Sequence, residues 1–225
     1  MILKVCGITR ESDALHAVEH GATALGFIFW PRSPRYVEPS RAAAIIATLP
    51  AAVTTVGVFV DDSVDRVRTA ATTAGVTVVQ LHGDEPPGYD EALAFPIFRS
   101  ATLDDATAIV RAWPEAMVLL DAADRQRRGG TGQAVDWVRA AEIARHAPLI
   151  LAGGLTPENV AEAIDLVQPD GVDVSSGVEA APGIKDPDKV MRFLSNARGA
   201  FERRSAWHPV DRASKQGPVD RAGKR

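Results

Sequence analysis

The chain has 225 residues, 46% of them hydrophobic and 24% charged, with a net charge of −4. That length supplies one sizeable core, and so mild an acidity gives no sequence-wide reason to bind nucleic acid or an anionic membrane. The only cysteine, Cys6, excludes an intramolecular disulfide, which fits a reducing compartment. The opening MILKVCGITRESD has too short an apolar run, and charges too early at Lys4, Arg10 and Glu11, for a secretory signal. No stretch reaches the ~18 uncharged apolar residues of a membrane span, so a cytoplasmic protein is expected.

In chain order, short β-branched runs alternate with segments of helical period. LKVCGI (3–8) precedes SDALHAVEH (12–20), and ALGFIF (24–29) is the second run. TVGVFV (55–60) precedes SVDRVRTAATTA (63–74), and VVQLHG (78–83) is the fourth run. PIFRSA (96–101) precedes DDATAIVRAW (104–113), and MVLLDA (117–122) is the sixth. LILAGG (149–154) precedes PENVAEAIDLV (157–167), and GVDVSSG (171–177) precedes PDKVMRFLSNA (187–197). Ser12, Ser63, Asp104, Thr156 and Asp186 are candidate N-caps, Gly21 and Gly75 candidate helix ends, and Pro157 and Pro187 suit a first helical position.

The runs are continuously apolar rather than alternating, as parallel strands buried on both faces are. Eight β–α repeats joined by right-handed crossovers predict a closed (β/α)8 TIM barrel of eight parallel strands with outer helices. The alternative, an open doubly wound sheet, usually carries GxGxxG after its first strand; here that turn reads CGITRESD. The predicted barrel domain spans 1–201. The remainder, 202–225, holds seven Lys/Arg against three acids, repeats PVDRA at 209–213 and 218–222, and shows no structural period. It is expected to be a disordered basic tail. With Trp207 as its lone aromatic, it makes only a weak case for nucleic-acid binding.

Active sites of such barrels lie at the C-terminal strand ends. There the sequence places Cys6, the PRSPR loop (31–35), His82, Asp121, Gly153–Gly154 and Ser175–Ser176–Gly177, with a GGTG loop (129–132) after strand six. Glycine runs after strands seven and eight let backbone N–H groups approach an anion. Gly153, Gly154, Ser175 and Ser176, with Gly130 and Gly132 of the GGTG loop, are the candidate phosphate-binding residues. One glycine run alone would read as a tight turn; two in the barrel's usual phosphate position favour the anion site.

The segments KVCGIT (4–9), GFIFWPRSPRYV (26–37), VGVFVDD (56–62), VVQLHGDE (78–85), LLDA…GGTGQAVDW (119–137), LAGGLTPENV (151–160) and VDVSSGVEAAPGIKD (172–186) are collinear with those of a known family. The chain resembles the phosphoribosylanthranilate isomerases of tryptophan biosynthesis from Met1 to about Arg198. Val135 stands where the family often has Phe, and the tail has no counterpart in it. The resemblance implies an Amadori rearrangement of a phosphorylated aminosugar, with Cys6 as general base and Asp121 as general acid. It also implies Arg35 on the anthranilate carboxylate, where a planar guanidinium suits a bidentate partner, and His82 and Asp173 near the substrate. Arg32 reads as a solvated loop arginine. No cofactor, metal or obligate protein partner is implied.

The chemistry makes demands on both groups. An aspartic acid of ordinary pKa ~3.9 is almost wholly ionised at neutral pH, so Asp121 needs partial desolvation to donate a proton. Cys6 must become a thiolate to accept one, and nothing in the sequence says what lowers its pKa. His16-Ala17-Val18-Glu19-His20 fits the H-x-x-E-H zinc pattern, but on the outer face of the first helix it reads as a solvated surface. Other phosphosugar barrels fit less well. An indole-3-glycerol phosphate synthase needs a strand lysine, and only Lys4 is present. A pentose-phosphate epimerase needs several metal ligands on strands, and His82 is the only strand histidine. A non-catalytic phosphate-binding barrel would have no use for both Cys6 and Asp121.

Overall fold

The computed structural model describes residues 1–121 and 136–207, with side chains as far as 204. Eight parallel strands close into a barrel in sequence order. They are β1 (Ile2–Cys6), β2 (Ala24–Ile28), β3 (Thr54–Phe59), β4 (Val78–Leu81), β5 (Ile97–Ala101), β6 (Met117–Leu120), β7 (Leu149–Leu151) and β8 (Gly171–Val174). The barrel closes where β1 pairs with β8, Lys4 opposite Asp173. Six of the eight predicted runs contain their strand, while β1 and β3 begin one residue earlier, at Ile2 and Thr54; all but β5 stop short of the predicted C-terminal limit. The positions left beyond the strand ends include the polar and glycine residues His82, Asp121, Gly153–Gly154 and Ser175–Gly177, along with apolar Ile8, Phe29, Val60 and Ala152.

The crossover helices are α1 (Glu11–Glu19), α2 (Pro39–Ile46), α3 (Val64–Ala74), α4 (Tyr89–Leu93), α5 (Ala106–Ala112), α6 (Trp137–Ala144), α7 (Val160–Val167) and α8 (Pro187–Trp207). Five match the predicted helical segments; α2, α4 and α6 lie outside them. Ser63 caps α3 by accepting from Arg66 N, and Gly75 ends it with φ 72°. Asp186 accepts from Lys189 N at 3.1 Å. Thr156 and Asn159 cap one turn reciprocally, Thr156 accepting from Glu158 N and Asn159 from Thr156 N.

Three expected caps are displaced, among them Thr156: α7 begins at Val160 with Asn159 at its N-cap, so Pro157 falls in the turn before the helix rather than at its first position. Ser12 lies inside α1, whose N-cap is Arg10; that residue instead grips Asp13 through two hydrogen bonds of 3.0 and 2.7 Å. Asp105 rather than Asp104 starts α5, and its carboxylate accepts from Thr102 N, while Asp104 pairs with Arg139. A short hairpin, β9 (Glu179–Ala181) and β10 (Ile184–Lys185), was not legible in the sequence. It follows the 3-10 turn Ser176–Val178 and reverses at Gly183, φ 78°. α8 also continues to Trp207, past the expected boundary at Phe201. Phe201 is buried, and Arg204 donates to the Pro169 carbonyl at 2.6 Å, so these turns are held by packing and by a long basic side chain that composition alone does not credit.

Two cores result. The larger lies between the sheet and the helices; the smaller fills the barrel with Ala24, Val56, Val78, Phe98, Leu119, Ile150 and Ala152. Strand side chains alternate between faces, and paired residues share one. The register therefore sets Lys4 and Cys6 with Gly26, Gln80 with Phe98, Ser100 with Leu119, and Asp173 with Lys4 on the inner face. The barrel interior is thus apolar in its body and polar toward the C-terminal mouth.

Candidate active site

Cys6 ends β1 and is buried. Its sulfur occupies space that exists because the neighbouring residue on β2 is glycine. A Cβ on Gly26 would lie 2.7 Å from Cys6 Sγ and 3.2 Å from Lys4 Nζ. Lys4, two residues earlier on the same face, is fully buried and donates from Nζ to Asp173 Oδ1 at 2.9 Å. Burial pushes the Cys6 thiol above its ordinary range; Lys4 opposes this, Asp173 adds to it, and Lys185 opposes it. Burial dominates, so the free protein holds mostly thiol at neutral pH.

Asp121 immediately follows β6, its N–H donating to Ala101 O at 2.9 Å. One of its carboxylate oxygens lies 3.8 Å from His82 Nε2. The other face of that imidazole is fixed: Nδ1 sits 2.7 Å from Ser100 Oγ and 3.3 Å from Gln80 Nε2. With the Gln80 amide nitrogen donating to it, Nδ1 would accept and the ring proton would sit on Nε2, toward Asp121. Burial lowers the His82 pKa despite the nearby Asp121 carboxylate, with Lys4 adding to the drop. His82 is therefore a neutral imidazole at pH 7.

Arg35 has a partner already. Its Nε and Nη2 donate to the two carboxylate oxygens of Glu179 at 2.8 and 2.7 Å, the fork geometry that suits a guanidinium. Lys185 Nζ donates to the same carboxylate at 3.0 Å. Burial would raise the Glu179 pKa, but the Arg35 and Lys185 contacts outweigh it and hold the carboxyl below its ordinary range. Gly7, with φ 79°, lets this group close on β1, since a Cβ there would meet Arg35 Cδ at 2.8 Å and Ser175 Oγ at 3.2 Å.

The two predicted anion loops are adjacent. Gly153 and Gly154 take φ of 82° and 66°, backbone that L side chains rarely adopt. A Cβ on Gly177 would overlap the Leu155 carbonyl, so the loops after β7 and β8 pack backbone to backbone. Ser175 Oγ is buried there with no hydrogen-bond partner among the described residues, an orphaned hydroxyl of the kind a ligand satisfies. Gly130 and Gly132 lie outside the described residues.

Of the expected residues, Cys6, Asp121, Arg35, His82, Asp173, Gly153, Gly154, Ser175 and Ser176 all fall at or just below this mouth. His16, Glu19 and His20 do not. Their ligand atoms lie within 4.8 Å of one another on α1, but that helix is outside the sheet. His16 Nε2 there bonds the Pro187 carbonyl of α8, and His20 Nδ1 bonds His16 O. Three partners were missed as site residues. Lys4 carried a signal, a lysine embedded in an apolar strand two residues before the cysteine. Glu179 and Lys185 carried none, because only the hairpin folds them back toward Arg35.

The site and fold define a (β/α)8-barrel enzyme whose polar groups converge at the C-terminal mouth, opposite a pair of glycine loops. A model of the N-(5'-phosphoribosyl)anthranilate (PRA) isomerase family matches residues 3–196. The N-(5'-phosphoribosyl)anthranilate isomerase of Geotalea daltonii is 47% identical over 198 residues, covering 87% of this chain and 96% of its own. That of Geobacter sulfurreducens is 47% identical over 199, covering 88% and 98%. The phosphoribosyl anthranilate isomerase crystal structure from Thermotoga maritima superposes with a TM-score of 0.81 at 40% identity, over 88% of this chain and 100% of that one. A phosphoribosyl anthranilate isomerase in complex with reduced 1-(o-carboxyphenylamino)-1-deoxyribulose 5-phosphate superposes at 0.78 and 40% identity, with the same coverage. The chain belongs to the N-(5'-phosphoribosyl)anthranilate isomerase family, intramolecular oxidoreductases of tryptophan biosynthesis. Among the described residues no helix is long and apolar enough to cross a membrane.

Proposed function

We propose that this protein, in the cytoplasm, converts N-(5-phosphoribosyl)anthranilate to 1-(2-carboxyphenylamino)-1-deoxyribulose 5-phosphate, with Cys6 as general base and Asp121 as general acid. The observation that carries this is a thiol at the end of β1 and a carboxyl just after β6, over one mouth beside an anion-suited loop pair.

Asp121 protonates the furanose ring oxygen, the C1′–O bond breaks, and the anthranilate nitrogen lone pair forms the C1′=N Schiff base. The Cys6 thiolate then takes the proton from C2′, and the electron pair returns to nitrogen through an enolamine that becomes the ketone. C2′ is oxidised as C1′ is reduced, so the step balances without an added oxidant or reductant. Arg35, oriented by Glu179, takes the anthranilate carboxylate with its remaining N–H groups. Asp173 keeps Oδ2 for the ribose hydroxyls while Oδ1 holds Lys4. Gly153, Gly154, Ser175 and Ser176, with Gly130 and Gly132, receive the phosphate. His82 presents its Nε2–H toward Asp121 and orients that carboxyl.

The test is loss of anthranilate-substrate fluorescence, with substrate generated in situ. Cys6→Ser and Asp121→Asn should each lower kcat by at least ~10²-fold while circular dichroism stays native. A variant with near-normal turnover removes that residue from its role. Tight substrate binding without any turnover by the unaltered protein favours the non-catalytic phosphate-binding barrel instead.

A further inference from the structure

The mechanism gives the buried charge of Lys4 no task. Lys4 is wholly inside the barrel, and taking an ammonium out of water is costly even when it is paired. Its partner Asp173 is also buried, and apolar residues of similar size would fill the same space at less expense. The pairing therefore asks for another reason. The Cys6 sulfur and the Lys4 nitrogen converge on the space above Gly26, 2.7 and 3.2 Å from the point a Cβ would occupy. An ammonium has three donors, and the bond to Asp173 Oδ1 uses one.

We propose that Lys4 is a positioning residue for the reaction, its buried ammonium stabilising the Cys6 thiolate as an ion pair and fixing where the sulfur points. The inference rests on Cys6 being the base. The other charges that reach Cys6 are Asp173 on β8, Lys185 on β10 and Arg35 in the loop after β2. Lys185 and Arg35 are both engaged by Glu179. Lys4 alone comes from beneath the sulfur, on its own strand and face, where substrate does not displace it. Lys4 is also the largest influence favouring the thiolate. Asp173 opposes it, so the Lys4–Asp173 pair balances thiolate formation rather than maximising it.

Cys6 is the only cysteine, so iodoacetamide alkylation reports on that thiol alone. Lys4→Met should move the midpoint of the alkylation pH profile upward by about one pH unit or more. It should also lower kcat by ~10-fold or more with little change in KM, and Lys4→Arg should restore part of both. Because Lys4→Met strands Asp173 and can impair folding, Asp173→Asn supplies the reverse arm. It leaves the ammonium to the sulfur alone and should move the midpoint downward. Opposite shifts in the two variants support the inference. Unmoved midpoints in folded variants overturn it. A Cys6→Ser enzyme with normal turnover removes the base assignment while leaving the alkylation shifts as the measure of the Lys4–Cys6 pair, so the two failures are distinguishable.

Discussion

Gly26→Ala adds one methyl group at the point on which Cys6 and Lys4 converge. The new carbon would sit 2.7 Å from Cys6 Sγ, 3.1 Å from Cys6 Cα and 3.2 Å from Lys4 Nζ. Favourable heavy-atom contacts begin near ~3.5 Å, so the sulfur must retreat by roughly 0.8 Å or more. The Cys6 backbone has little freedom to absorb this, because β1 and β2 are paired in register at that position. Overpacking of this kind costs about 1–3 kcal/mol of stability. Displacing a reacting atom by ~1 Å costs about 10²-fold in rate. Gly171→Ala is the control. Its Cβ would meet Ile2 at 2.6 Å at the other end of the barrel, a comparable stress with no line to the mouth. Urea unfolding should show both variants destabilised, whereas the fluorescence assay should show kcat falling about 10²-fold in Gly26→Ala. In Gly171→Ala it should stay within about threefold, as independent distant sites do. Equal kcat losses in the two, or a stable Gly26→Ala enzyme with native kcat, would refute the argument that this glycine exists to seat the sulfur.

Arg35→Ala should cost about 2–4 kcal/mol in kcat/KM, mostly as KM, since a carboxylate contact made equally in ground and transition states affects binding; unchanged kcat/KM returns Arg35 to a loop surface. Because burial and its neighbours leave the Cys6 thiol raised, kcat/KM should climb with pH through the alkaline range as the thiolate forms, and a profile flat above neutrality contradicts the base assignment. Glu179 has a folded pKa below its ordinary 4.5, so its pairing stabilises the fold fully above that pH and is lost as pH falls beneath it. Urea midpoints measured from about pH 5 to 3 should therefore fall less steeply in Glu179→Gln than in the parent, and parallel slopes count against the Arg35–Glu179–Lys185 cluster. Removing 208–225 should change stability by less than ~1 kcal/mol. Cutting after Phe201 removes the Arg204–Pro169 bond and should cost about 1–2 kcal/mol more; identical urea curves would show that the last turns of α8 contribute nothing.

What the sequence determined by itself was whatever repeats or carries a distinctive local pattern. Eight apolar runs with caps between them imply the barrel, because parallel strands buried on both faces must be apolar throughout and a closed sheet needs its crossovers. The strand-end rule then located Cys6, His82, Asp121 and the glycine pairs, each within a few residues of its strand. The basic tail shows the limit of the same reasoning: composition sees too few apolar residues to hold a helix past Phe201, but not the Arg204 side chain reaching the Pro169 carbonyl. Only the tertiary structure decided which groups meet. Lys4 is two residues from Cys6 in sequence, yet its anchor Asp173 is 169 residues away and arrives because β8 closes onto β1. Glu179 lies 144 residues from Arg35 and reaches it through a hairpin with no clear periodicity. Pairings of that kind depend on barrel closure and register, which bring remote inward-facing side chains within a few ångströms, and electrostatic energy depends on that separation in space rather than on distance along the chain.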